Sequence, residues 1–77
     1  MTTVKISLNS IDKVKSFVNT VCKFDEDFDL LSGRYVIDAK SIMGIFSLDL
    51  SKPIDLCIHK ESGIDDILSA LQPFIIS

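Results

Sequence analysis

The feature that most constrains this chain is a switch in hydrophobic period, made twice in the same sense. From Thr3 to Leu8 the pattern alternates: Val4, Ile6 and Leu8 fall on one side, Lys5 and Ser7 on the other, as in a half-buried strand. Asn9-Ser10 then interrupts and offers an N-cap, and from Ile11 the period becomes helical. Ile11, Val14, Phe17, Val18, Val21 and Cys22 share one side, with Phe24 just beyond, while Asp12, Lys13, Lys15, Ser16 and Asn19 take the other. Asp12 in the first turn and Lys23 in the last both suit the helix dipole. The second switch comes later. Ile54, Leu56 and Ile58 alternate with Asp55, Cys57 and His59, and Ser62-Gly63 then turns the chain. Ser62 with Asp65 has the form of a capping box, and Ile64, Ile67, Leu68, Leu71 and Ile75 mark a final helix that Pro73 should bend or end.

Between the two switches lie shorter elements. Phe28 to Leu31 and Arg34 to Ala39 read as strands around Ser32-Gly33, which predicts a hairpin. Phe28, Leu30, Tyr35, Ile37 and Ala39 would face one side, with Asp29, Arg34, Val36 and Asp38 outward. Ser41 to Leu48 reads as a short helix, and Ser51-Lys52-Pro53 as a connection. The order is strand, helix, strand, strand, short helix, strand, helix. Each strand has one apolar and one mixed face, so an α+β arrangement with helices on one side of an antiparallel or mixed sheet satisfies the pattern and leaves the other side open.

Composition narrows the function classes. A chain of 77 residues, 47% hydrophobic and 25% charged, supports one small globular domain over 1–77 rather than a disordered segment. A net charge of −3 without a basic face argues against nucleic acid. No apolar run approaches the roughly 18–20 residues needed to cross a bilayer, and the start of the chain lacks the pattern of a secretory signal, so a cytoplasmic protein without membrane partners is expected. Cys22 and Cys57, far apart and outside any CxxC, are expected to be buried or half-buried thiols. One histidine is too few for a zinc site, which needs about four ligands, and Asp25-Glu26-Asp27 supplies too few oxygens for a calcium loop. No metal or cofactor is expected. His59 is the only imidazole and lies mid-strand, away in sequence from any serine, while Gly33, Gly44 and Gly63 form no phosphate-cradling loop. These features argue against self-contained catalysis, and the chain is expected to be a non-enzyme.

One segment carries a sharper signal. In Lys40-Ser41-Ile42-Met43-Gly44-Ile45-Phe46-Ser47-Leu48, a hydroxyl sits at a helix start and apolar side chains follow at once. Ser41 suits an N-cap, a structural role worth about 1 kcal/mol. Ile42, Met43 and Phe46 cannot all face the core of so short a helix, and any that stay exposed form an apolar patch beside the serine.

The wording of this segment resembles the regulatory-serine segment of the histidine-containing phosphocarrier (HPr) family of the sugar phosphotransferase system. Two further stretches are similar in the same register: Cys22 to Asp27, and the Ile54 strand with the helix after it. The resemblance implies an open-faced β-sandwich, a four-stranded antiparallel sheet with three helices on one face in the order βαββαβα. It also implies a regulatory serine at Ser41 and a partner-binding patch at Ile42, Met43 and Phe46. Family carriers hold a phospho-accepting histidine within Gly-x-His-x-Arg-Pro before the first helix. Here that stretch is Leu8-Asn9-Ser10-Ile11-Asp12-Lys13, which puts Ser10 at the histidine position and Asp12 at the arginine position. Serine offers no ring nitrogen, and the Asp12 carboxylate would oppose a phosphate where the family places a cation. The chain therefore resembles the catabolite-repression branch of the family, which lacks the histidine and works through its serine. The implied partners are proteins of the phosphotransferase system or a transcriptional regulator, with a serine kinase acting on Ser41. Two alternatives stand beside this reading: a constitutive interaction module that keeps only the fold, and a cryptic phosphocarrier using Ser10 or His59.

Overall fold

The structure, a computed structural model, describes residues 2–60 and 62–76. The elements run β1 (Thr2–Ile6), α1 (Ile11–Val21), β2 (Phe28–Ser32), β3 (Tyr35–Asp38), α2 (Ile42–Ile45), β4 (Ile54–Ile58) and α3 (Asp65–Leu71). The four strands form one antiparallel sheet in the order β1-β4-β2-β3, and the three helices pack on one face. The expected α+β open-faced sandwich is the observed fold.

Register explains the core. Val4 pairs with Leu56, Leu56 with Leu30, and Leu30 with Ile37, so one row of aliphatic side chains crosses the sheet beneath the helices. Ile58 and Phe28 form a second row, and Ile6 with Ile54 a third. Val14, Phe17 and Val21 of α1, Ile45 of α2, and Ile67 and Leu71 of α3 close over these rows, all fully buried or nearly so. The Phe17 ring meets Phe74 edge-on, with centroids 5.6 Å apart and planes at 85°. Cys57 is buried although it belongs to the open face, because β4 is central and Thr3 and Asp29 flank it on the neighbouring strands.

Several local expectations are corrected. The hairpin loop is Gly33-Arg34, one residue later than Ser32-Gly33. Gly33 has φ +61° and Arg34 a negative φ, the combination that a type II′ turn requires. Tyr35 lies on the helix side of β3 but is 68% exposed, because it sits at the hairpin end of an edge strand, opposite Ser32. Ile11 is 62% exposed, since the sheet's cover over α1 begins at Val14. Helix α1 ends at Val21 with Cys22 as C-cap, so Lys23 falls outside its last turn and Cys22 is exposed. Helix α2 spans only Ile42–Ile45. The cap of α3 is Ile64 without a side-chain hydrogen bond, so Ser62 and Asp65 do not act as a capping box.

Ile75 is not helical. Helix α3 stops at Leu71, Gln72 caps it, and Pro73 forces the chain away. Ile75 then forms an antiparallel bridge with Ile6, while the Ser7 N–H donates to the Phe74 carbonyl at 2.9 Å and the Ile76 N–H to the Lys5 carbonyl at 2.9 Å. This short return covers the Ile6 end of the β1 edge of the sheet.

Candidate functional site

The start of α1 is built as its sequence predicts. Ser10 is extended (φ −148°, ψ 157°) and its Oγ accepts from the Lys13 N–H at 3.1 Å. Asp12 lies in the first turn and, among the described residues, pairs with no cation. Ser10, Ile11, Asp12 and Lys13 are all exposed. His59 is elsewhere, just past β4 on the open side of the sheet. Its Nε2 lies 2.6 Å from Asp29 Oδ2, and its backbone N–H donates to the Asp27 carbonyl at 3.0 Å. Ser10 and His59 are therefore not brought together.

Around Ser41 the chain is tightly organised. Its N–H donates to the Asp38 carbonyl at 3.0 Å, and its Oγ accepts from the Gly44 N–H at 3.3 Å. The Ser47 hydroxyl donates to the Gly44 carbonyl at 2.6 Å. These bonds hold a helix of four residues that propensity alone would not sustain. Gly44 is needed for another reason: a Cβ there would lie 2.8 Å from Ile37 Cγ2, a methyl on the stiff branch of an isoleucine. The backbone of α2 thus rests almost directly on β3.

The apolar trio divides. Met43 is 78% exposed and Phe46 41%, three residues apart on one side of α2. Ile42 is half-buried and leans on the core, so it borders the exposed pair rather than standing out with it. Ile45 and Leu48 point inward. Ser41 itself is exposed beside this pair.

Lys40 has a role that the pattern of the sequence did not reveal. Its Nζ donates to the Phe24 carbonyl at 2.9 Å and stands 5.8 Å from the centroid of the Phe28 ring, while its backbone N–H donates to Asp38 Oδ1 at 2.9 Å. One side chain thereby ties the loop after α1 to the joint between β3 and α2. Nothing in periodicity signals this, because the contact joins residues sixteen positions apart. A shallow cleft lies past the end of α2, lined by Arg34 and Tyr35 of the hairpin with Ser47, Asp49 and Lys52. The Ser51 hydroxyl and N–H both donate to Asp49 Oδ1, at 2.6 and 3.1 Å, and hold this carboxyl below its ordinary value; Lys52 adds a smaller effect in the same direction. Among the described residues, no three His, Cys, Asp or Glu side chains converge on a metal-sized site.

Strand order, helix placement and element lengths define the class: an open-faced α+β sandwich with the HPr fold. No family model matches the chain, and no curated protein does. Solved structures do. HPr-C-His from Thermoanaerobacter tengcongensis superposes with a TM-score of 0.76 at 26% identity, covering 95% of this chain and 89% of that one. The phosphocarrier protein HPr from Bacillus anthracis str. Ames gives 0.70 at 25% identity, covering 97% and 94%. The structural neighbours of this chain are thus HPr phosphocarrier proteins over nearly its whole length.

Proposed function

We propose that the chain is a single HPr-like domain of the phosphoenolpyruvate-dependent sugar phosphotransferase system that works as a regulatory, protein-binding module switched at Ser41, not as a phosphocarrier. The observation that carries this reading is the contrast between the two helix starts. At α1, Ser10 caps the helix and Asp12 lies in its first turn, the positions that the resemblance aligns with the family's imidazole and cation. At α2, an exposed Ser41 adjoins the open pair Met43 and Phe46, with Ile42 at its border.

In this reading a cytoplasmic serine kinase transfers the γ-phosphoryl of ATP to Ser41 Oγ, releasing ADP. The phosphate adds about −1.5 to −2 charges beside an apolar pair. A partner with a basic pocket next to an apolar contact would distinguish the two states. Partners of that kind are proteins of the phosphotransferase system or a transcriptional regulator. No helix among the described residues is long and apolar enough to cross a membrane.

Two incubations test the proposal. With the general phosphotransferase enzyme and phosphoenolpyruvate the chain should stay unmodified, and an acid-labile phosphate on His59, or any phosphate on Ser10, would make it a carrier instead. With the serine kinase and ATP, phosphate should appear on Ser41 and be absent from Ser41→Ala. If Ser41 stays unmodified and Ser41→Asp changes no partner affinity, the switch fails and a constitutive interaction module remains.

A further inference from the structure

The sheet has two edges. The β1 edge is covered at its Ile6 end by Ile75 and Ile76, whereas no strand among the described residues covers β3. Tyr35 pairs with Ser32 across the two-residue loop, Ile37 with Leu30, and the Ala39 N–H donates to the Phe28 carbonyl at 2.9 Å. Tyr35, Ile37 and Ala39 therefore direct their backbone groups toward β2, and the alternation of an antiparallel ladder turns those of Val36 and Asp38 outward, with Arg34 in the loop just before the strand. The Asp38 carbonyl also accepts from Ser41, which leaves it a second lone pair.

We infer that the β3 edge is a self-recognition surface, on which a second copy of this chain pairs antiparallel about a twofold axis at Val36. Charge complementarity selects both the occupant and the register. With the axis at Val36, each Arg34 lies opposite Asp38 of the partner subunit, Val36 lies opposite its own counterpart, and Tyr35 lies opposite Ile37 of the partner subunit. Shifting the axis to Ile37 sets Arg34 against a lysine, Lys40, a like-charge pair. Shifting it to Tyr35 sets Arg34 against Val36 of the partner subunit and Asp38 against Ser32 of the partner subunit, so neither charge meets its opposite. Charged residues on an edge strand usually repel other strands. Here two opposite charges flank a valine symmetrically, so they block other pairings and match this one.

The side chains are free to take part. Arg34 pairs with no carboxylate among the described residues, and Tyr35 and Val36 are 68% and 67% exposed. A four-residue edge buries less than the roughly 1,200 Å² of a stable interface, so the dimer is a weak, reversible one.

Sedimentation velocity over rising concentration, with amide chemical shifts read in parallel, tests this on the intact chain. The wild type should associate at about 1 mM, as suits an interface of this size, with shifts confined to Arg34–Asp38. Arg34→Asp, which sets two carboxylates against each other, should weaken association about tenfold, given two like-charge pairs per dimer. The double variant Arg34→Asp with Asp38→Arg should restore it. Asp38→Arg also removes the acceptor of the Lys40 N–H, so thermal melts must show each variant folded. A wild type that stays monomeric at that concentration overturns the inference. So does equal association of Arg34→Asp, a double variant that is folded yet no tighter than Arg34→Asp, or shifts centred on Met43 and Phe46. Phosphorylation of Ser41 does not enter, so Ser41→Ala should dimerise like the wild type.

Discussion

Replacing Lys40 with methionine isolates the tie between the α1–β2 loop and the start of α2. Methionine keeps an unbranched stem of similar length and the backbone N–H that donates to Asp38, and it removes only the ammonium group. Two interactions are lost: the bond from Nζ to the Phe24 carbonyl at 2.9 Å, and the placement of the charge 5.8 Å from the Phe28 centroid. A hydrogen bond from a charged donor contributes about 1.5–3 kcal/mol when well buried. Lys40 is only half-buried, so water replaces part of that and about 1 kcal/mol remains. The cation–π contact adds about 0.5–1 kcal/mol. The expected cost is therefore about 1.5–2 kcal/mol.

That cost is large for this chain. A domain of its length has a stability of about 4–12 kcal/mol, and each kcal/mol shifts Tm by about 4–8 °C, so Lys40→Met should lower Tm by roughly 6–16 °C. Urea titration should show the same loss as a lower midpoint with an unchanged slope. A double-mutant cycle with Phe28→Leu divides the effect: the cost of truncating a core ring cancels, and a coupling of about 0.5–1 kcal/mol should remain for the ring. A Tm drop below about 2 °C would mean that water solvates the ammonium as well as Phe24 and Phe28 do, and the tie would have no energetic content. A full drop with zero coupling would assign the whole effect to the Phe24 carbonyl.

Ser41→Ala should cost about 1 kcal/mol in chemical denaturation, while Ser41→Asp should cost a few tenths at most because aspartate also caps helices; equal losses would show that the Oγ bond to Gly44 does not hold α2. Gly44→Ala has opposing effects, gaining about 1 kcal/mol of helix propensity and losing about 1–3 kcal/mol to the contact 2.8 Å from Ile37 Cγ2, so a net loss is expected. Removing that methyl with Ile37→Ala should make Gly44→Ala neutral or favourable relative to Ile37→Ala alone, and a Gly44→Ala variant more stable than the wild type would disprove the close packing. Asp49 should titrate below 3.8 in a carboxyl NMR titration, and Ser51→Ala should move it back up. Because its folded value is depressed, its contribution to stability is present above the unfolded value of about 3.9 and fades as pH falls through the folded one; titration at or above 3.8 would remove the Ser51 bonds from solution. Ser10→Ala should cost about 1 kcal/mol by thermal melt through loss of the α1 cap, and no change would mean that water replaces its bond to Lys13.

The architecture was legible because period is a backbone property. Val4, Ile6 and Leu8 against Lys5 and Ser7 fix which side of β1 is covered, and Val14, Phe17 and Val21 fix the buried side of α1. What period cannot supply is the extent of the cover. Ile11 and Tyr35 lie on the correct sides of their elements and still face water, because nothing packs over the first turn of α1 or the hairpin end of β3. Cys57 shows the converse: it lies on the open face and is buried, as expected of this thiol, by its place in a central strand. Ile75 shows a further limit. It lies four residues after Leu71 and so fits a helical stripe, yet Pro73 ends that helix and Ile75 pairs with Ile6 across most of the sequence. At the candidate site, the Ser41 cap and the exposure of Met43 and Phe46 could be anticipated from local order. The half-burial of Ile42, the Gly44–Ile37 contact and the reach of Lys40 are tertiary facts that no local pattern encodes.

Those tertiary facts bear on how a switch at Ser41 would operate. Phosphorylation can act by ordering or melting a segment, or by changing the charge of a surface that stays in place. Helix α2 is too short to hold itself, but it is fixed from outside: Ser47 bonds the Gly44 carbonyl, Gly44 rests on Ile37, Ile45 is buried, and Lys40 anchors the approach. A group added to the exposed Ser41 hydroxyl would meet none of these anchors except the Gly44 N–H, which donates to oxygen already. The expected readout is therefore a surface of unchanged shape and altered charge beside Met43 and Phe46. Amide shifts on phosphorylation, or in Ser41→Asp, should stay within Lys40–Ser47 and leave the hydrogen-exchange protection of the β-sheet unaltered. Loss of protection across β3 and β4 would instead make α2 the bistable element and the switch a local unfolding.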